Sequence, residues 1–240
     1  SGMGSNTTGA NNTSIGQGSL GLNTTGFQNA AVGANSLEAN TTAANNTAVG
    51  FCAGNKNTTG TSNVFLGTCA GEKTTTGSNN VAVGMQALCT NTTGASNVAI
   101  GLFALYANTT ANSNVAVGRE AGSSNTTGTT NTFIGQNAGD NLTTGDNNTS
   151  LGFNAQSSAV DSDNQFTLGD GNISNLRCAD TSISSLSDLR DKTNVEDIPH
   201  GLDYILAMRP VKFDWNTRDG TREGKKDYGF IAQELDQVEE

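Results

Sequence analysis

A glycine every seventeen residues constrains this chain more than any other feature. The series runs Gly16, Gly33, Gly50, Gly67, Gly84, Gly101, Gly118, Gly135, Gly152 and Gly169, with no member missing. The residue before each glycine is aliphatic: Ile15, Val32, Val49, Leu66, Val83, Ile100, Val117, Ile134, Leu151 and Leu168. Four before it stands Asn in units one to nine (Asn12 to Asn148) and Gln165 in the tenth. Three after it comes a small residue such as Ser19, Ala53, Ala87 or Ala138. Eight and nine after it comes a threonine pair, often followed by glycine as in Thr58-Thr59-Gly60. A strict period of this length is the signature of stacked coils, each of which contacts only its neighbours.

Within a unit, Asn97-Val98-Ala99-Ile100 alternates in the strand sense, with Val98 and Ile100 on one face and Asn97 and Ala99 on the other. The spacing predicts one short strand ended by the glycine, then a second extended piece leading to an Asn-Thr-Thr-Gly turn. A single coil cannot bury its aliphatic row. Ten coils in register form a continuous narrow core around that row, in a rod about 50 Å long at one strand spacing per coil. The asparagine row reads as a ladder of stacked amides that satisfies polar groups inside a thin core.

The totals agree with a rod and exclude several functions. With 34% hydrophobic and 5% aromatic residues, a conventional globular core would be thin. A net charge of −10 leaves no basic stripe for nucleic acid or for an anionic membrane. No apolar run is long enough to span a bilayer and the start is not signal-like, so no membrane insertion is expected. Cys52, Cys69, Cys89 and Cys178 fit neither a disulfide framework nor a zinc pattern, although Cys52 and Cys69 share one phase of the repeat and should stack. The Asn-Thr-Thr triplets are formal glycosylation sequons, but their recurrence follows from the repeat itself. Asp161 and Asp163 lack the regular Gly/Asp pattern of calcium-binding rolls. No metal and no cofactor is expected. An ice-binding face, suggested by the threonines, is disfavoured because adjacent threonines in a strand point to opposite sides.

The element Asn80-Val81-Ala82-Val83-Gly84-Met85-Gln86-Ala87 resembles the head repeats of trimeric autotransporter adhesins and, more closely, repeats in phage and large-virus fibre proteins. The period here is longer than the usual adhesin head unit. The resemblance implies a homotrimer, built either as a left-handed β-roll or as an intertwined triple β-helix.

Near residue 187 the composition changes. Before it the chain has no proline and thirteen charged residues; from Ser187 onward come thirteen acids, eight bases, Pro199, Pro210, the single Trp215 and the single His200. Three parts follow: an all-β repeat solenoid over 1–169, a stalk or linker over 170–186, and a small α+β segment over 187–240. In the last part a helix is expected around Leu202, Ile205 and Leu206, capped by Asp197 with Pro199 in its first turn. A strand is expected over Val211 to Trp215, and a second helix opening at Tyr228.

Ser187-Asp188-Leu189-Arg190-Asp191-Lys192, the block Leu202 to Trp215 with Arg209-Pro210-Val211, and Gly229-Phe230-Ile231-Ala232-Gln233-Glu234 together resemble the endosialidase-type intramolecular chaperone at the C-terminus of phage tail fibres and spikes. The chain covers the opening part of that domain. The resemblance implies a trimeric folding clamp that cuts itself off, with Ser187 as nucleophile, Lys192 as its base, Leu186-Ser187 as the scissile bond, and Asp188 and Arg190 in supporting roles. A serine hydroxyl needs a nearby base, and a desolvated lysine has a pKa low enough to serve. The implied protein is a virion fibre with a host surface receptor or glycan as partner. The alternative is a bacterial trimeric surface adhesin without self-cleavage, placed on the cell surface.

Overall fold

The computed structural model describes residues 2–175, 210–214 and 226–229 of the chain. Contacts divide it into two compact units, Ser1–Leu176 and Arg177–Glu240.

The first unit is a solenoid with one three-residue strand per coil. The strands are β1 (Thr13–Ile15), β2 (Ala30–Val32), β3 (Thr47–Val49), β4 (Val64–Leu66), β5 (Val81–Val83), β6 (Val98–Ile100), β7 (Val115–Val117), β8 (Thr132–Ile134), β9 (Thr149–Leu151) and β10 (Phe166–Leu168). They form one parallel sheet in sequence order, and each residue pairs with the one seventeen further on, as in Val81↔Val98. All these ladders run within a single chain. The coils of the described residues are therefore those of a parallel solenoid wound by one chain.

Counting each coil from its glycine as position 0 shows why the backbone closes in seventeen residues. At position 0 the φ angle lies near +130° from Gly16 to Gly135, and a Cβ there would enter the next coil: on Gly84 (φ +131°) it would stand 2.5 Å from the Gly101 carbonyl oxygen. Positions +2 and +12 are left-handed in successive coils, as at Asn35, Asn137, Asn45 and Asn79, and asparagine tolerates this region better than most side chains. At position +8 a threonine ties coils together twice. Thr92 donates both its N–H (2.8 Å) and its Oγ1 hydroxyl (3.0 Å) to the Thr109 carbonyl.

Asparagine forms two ladders. At position −4 each backbone N–H donates to the Oδ1 of the preceding coil's asparagine, as from Asn97 to Asn80 at 3.0 Å. The same side chain also spans the coil, Asn97 Nδ2 donating to the Ala111 carbonyl at 2.8 Å. The second ladder uses the sequon asparagines at position +7. Asn108 Nδ2 donates to Asn91 Oδ1 at 2.9 Å and to the same Ala111 carbonyl at 3.3 Å. One carbonyl with two lone pairs thus receives both ladders. Because Asn23, Asn40, Asn57, Asn91, Asn108 and Asn125 are fully buried, the folded rod does not offer these sequons for glycosylation.

The core is where the fold departs from the expected arrangement. The middle residue of each strand points inward: Ala31, Ala48, Phe65, Ala82, Ala99, Ala116 and Phe133 are completely buried. The flanking aliphatic residues point outward, and Ile100 keeps 39% of its surface exposed. The expected aliphatic core is thus turned inside out, because a seventeen-residue coil is too narrow to hold two bulky side chains per strand beside its buried amides.

The interior is filled by a size code with a period of four coils. Position +4 reads Leu20, Leu37, Gly54, Gly71, Leu88, Leu105, Gly122, Gly139, and the two inward phenylalanines, Phe65 and Phe133, stand among the glycines. A Cβ on Gly54 would lie 2.5 Å from the Phe65 ring, and Gly71 would meet the same ring; Gly122 and Gly139 are related to Phe133 in the same way. Each aromatic ring therefore fills space vacated in its own coil and in the one before. Elsewhere an inward alanine sits beside a leucine.

In the second unit the described residues form an antiparallel pair, β11 (Val211–Asp214) and β12 (Lys226–Gly229), with Val211↔Gly229 and Lys212↔Tyr228 in register. Lys212 Nζ lies 5.4 Å from the centre of the Tyr228 ring. The strand expected from Val211 is present, whereas Tyr228 and Gly229, expected to open a helix, belong to β12. Tyrosine favours a strand, and glycine weakens a helix start, so pairing with Val211 and Lys212 prevails. Trp215, the expected helix around Leu202 to Leu206 and residues 230–235 lie outside the described residues. No helix occurs among the described residues.

Candidate assembly interface and cleavage segment

Turning the aliphatic row outward gives the rod a continuous apolar stripe. Position −1 is aliphatic in all ten strands, and position −3 reads Thr13, Ala30, Thr47, Val64, Val81, Val98, Val115, Thr132, Thr149, Phe166. No charged residue occupies either position in any strand. Position +1 widens the stripe at Phe51, Met85 and Phe153, which are all exposed. With ten strands about 4.8 Å apart, the stripe runs for about 43 Å along the sheet. Monomeric soluble proteins seldom expose contiguous apolar patches larger than a few hundred Å², so a stripe of this length marks a surface that another molecule covers.

Its chemistry also restricts what covers it. At positions −3 and −1 the stripe repeats at the strand spacing and carries no charge to steer a polar partner, whereas position +1 holds Arg119 and Asp170 in two coils. Over its full length it is matched by a surface with the same period, and a second copy of this sheet has that period.

The cysteines lie elsewhere in the repeat. Cys52 and Cys69 both occupy position +2 of successive coils, and with Cys89 they are free thiols. Burial and the Glu72 carboxylate push Cys69 up to about 12 and Cys89 up to about 11, and burial also raises Cys52. Cys89 Sγ lies 3.7 Å from Glu72 Oε2. All three are therefore protonated at neutral pH and poorly suited to be nucleophiles or metal ligands. Among the described residues no group of three or more His, Cys, Asp or Glu could hold a metal ion. Asp163, considered above as a calcium ligand, instead accepts the Asp146 N–H through Oδ1 at 2.7 Å. No helix of the described residues is long and apolar enough to cross a membrane.

The expected dyad Ser187 and Lys192, the scissile Leu186, the supporting Asp188 and Arg190, and Cys178 all lie outside the described residues. For this segment the information comes from sequence comparison. Residues 187–240 match the family described as chaperone of endosialidase. The match begins at the serine where the composition changes, and the family is associated with trimerisation. No curated protein and no solved structure matches the chain. The molecule is thus a β-solenoid followed by a segment similar to the chaperone of endosialidase, a similarity that suggests a trimeric, fibre-like protein with an intramolecular chaperone.

The strand alternation of the sequence left the outward stripe legible as a row of aliphatic residues, but assigned it to the core. The charge-free character of positions −3 and −1 in all ten strands is the sequence signal that sets this row apart.

Proposed function

We propose that the chain is a homotrimeric virion fibre whose rod attaches to a host surface, and whose C-terminal segment sets the trimer and then severs itself between Leu186 and Ser187. The observation that carries this reading is the outward apolar stripe, found in the same chain as the chaperone-of-endosialidase segment. Three parallel rods turn their stripes toward a common axis, and each row of valines and isoleucines packs against its counterparts. Stripes of identical coils can slip past one another by a whole coil at little cost per contact. A globular clamp at one end fixes the register before the rods close, and its removal leaves the closed rod kinetically trapped.

The cleavage chemistry follows from the position of the serine immediately after the scissile bond. Ser187 Oγ attacks the Leu186 carbonyl carbon, the Oγ–C bond forms and the C–N bond breaks. The hydroxyl proton passes through the neutral Lys192 amine to the departing nitrogen, which becomes the new N-terminus of Ser187. Water then hydrolyses the ester, leaving the Leu186 carboxylate and restoring the hydroxyl. Lys192 acts as a base only when desolvation lowers its pKa, so the step follows assembly and does not precede it.

The test is an intact mass and a light-scattering mass of the protein, beside Ser187→Ala and Lys192→Ala. The expected result is a trimer cut between Leu186 and Ser187 in the wild type and left uncut in both variants. A monomer, or a cut that survives Ser187→Ala, would overturn the reading.

A further inference from the structure

The sixth coil breaks the polar character of its neighbours at two positions. Position +2 holds Gly18, Asn35, Cys52, Cys69, Gln86, Glu120, Asn137 and Asn154 in the other coils, but Phe103 here; position +5 holds Tyr106 where others have Glu38, Asn55, Ser123 or Asp140. The two rings meet edge to face, with centroids 5.6 Å apart and planes at 90°. Together with Gln86 from the coil before and Glu120, Ser123 and Ser124 from the coil after, they line an open groove of about 690 Å³. None of these residues belongs to the apolar stripe.

Neither ring is explained by the fold. Tyr106 stays 38% exposed, and Phe103 is only half-buried. Phe103 also adopts φ +58°, a left-handed conformation that asparagine tolerates and bulky side chains disfavour. A residue held at a conformational cost without burial is a mark of function.

We propose that this groove binds an uncharged pyranose ring of a surface glycan. A sugar presents a C–H face suited to stacking on an aromatic ring, and a rim of hydroxyls suited to amide, carboxylate and hydroxyl partners; the Phe103/Tyr106 pair supplies the first, while Gln86, Glu120, Ser123 and Ser124 supply the second. The charge balance selects a neutral ligand. The Glu120 carboxylate is paired with Arg119 at 3.1 Å, so the groove has no free cation for an acidic sugar or a phosphate. The proposal rests on the host-attachment reading and names its ligand class. It needs neither cleavage nor trimerisation, which mass and light scattering read separately, so failure here is distinguishable from failure of the fibre reading.

The test titrates the full chain with methyl β-glucopyranoside, methyl β-galactopyranoside, methyl α-mannopyranoside and the methyl glycoside of N-acetylneuraminic acid. Saturation-transfer NMR reports contact and calorimetry reports affinity. Saturable millimolar binding of at least one neutral pyranoside is expected. Phe103→Asn and Tyr106→Ser each weaken it at least tenfold, and the thermal midpoint of Phe103→Asn stays level or rises, because asparagine suits its backbone. The proposal is overturned by no saturable neutral sugar, by undiminished binding in both variants, or by tighter binding of the acidic sugar. It also falls if Phe103→Asn lowers the midpoint in step with binding, since the ring would then be structural.

Discussion

At the residue scale, the position +7 ladder shows how closely this rod is matched to its amides. The ladder is broken where Thr74 and Leu142 stand in place of asparagine, and the acceptors below them, Asn57 Oδ1 and Asn125 Oδ1, are buried without a hydrogen-bond partner. A buried acceptor without a partner costs more than a made bond contributes, so the two sites are local weak points. Thr74→Asn places an Nδ2 donor above Asn57 and an Oδ1 acceptor below Asn91, whose Nδ2 now reaches Thr74 Oγ1 at 3.4 Å. We expect it to stabilise the rod by about 1 kcal/mol, read as a higher denaturation midpoint. A lowered midpoint would show that the extra atom is not accommodated beside the coil wall.

At the scale of the element, the coil, stability depends on matching side-chain volume between neighbours. Phe65 is fully enclosed, so Phe65→Ala is expected to cost about 3–5 kcal/mol. Gly71→Ala is also destabilising, because its Cβ would enter the Phe65 ring and its φ is +59°. Once the ring is gone, the space it filled accepts the larger residues. The triple variant Phe65→Ala, Gly54→Leu, Gly71→Leu reproduces the Ala/Leu arrangement of the neighbouring coils, where Leu37 and Leu88 already adopt φ of +47° and +54°. It is expected to recover most of the loss, with a coupling of roughly 0.5–3 kcal/mol in a mutant cycle read by chemical denaturation. Strict additivity of the changes would refute the size code.

At the scale of the whole molecule, the stripe separates folding of one rod from association of several. Ile100 is outward in the single chain, and an aspartate there would remain solvated before assembly but would be buried unpaired between rods afterwards. Ile100→Asp is therefore expected to leave the circular-dichroism spectrum β-rich while shifting the light-scattering mass from trimer toward monomer. A trimer of undiminished stability would place the interface elsewhere. The same stripe gives a role to the charge-free face of a rod that carries seven acids and three bases over residues 1–169: in the proposed trimer, repulsion keeps separate fibres apart while one apolar face holds three chains together.

By itself, the sequence determined the period, the parallel in-register stacking, the all-β character of the rod and the border at Ser187, because each follows from local rules repeated ten times. Glycine at position 0 and asparagine at position −4 needed no tertiary information to be read as structural. The size code was also present, as glycines clustered around Phe65 and Phe133, but it becomes readable only once the coil is known to bring positions −2 and +4 together. Alternation defines two faces of a strand without saying which is inside, and hydrophobicity alone favours Val98 and Ile100 over Ala99 for the core. Only the tertiary structure reversed that choice. The opposite wall of a seventeen-residue coil brings leucines and hydrogen-bonded asparagines so close that alanine fits facing them, which leaves the larger aliphatic side chains to face outward.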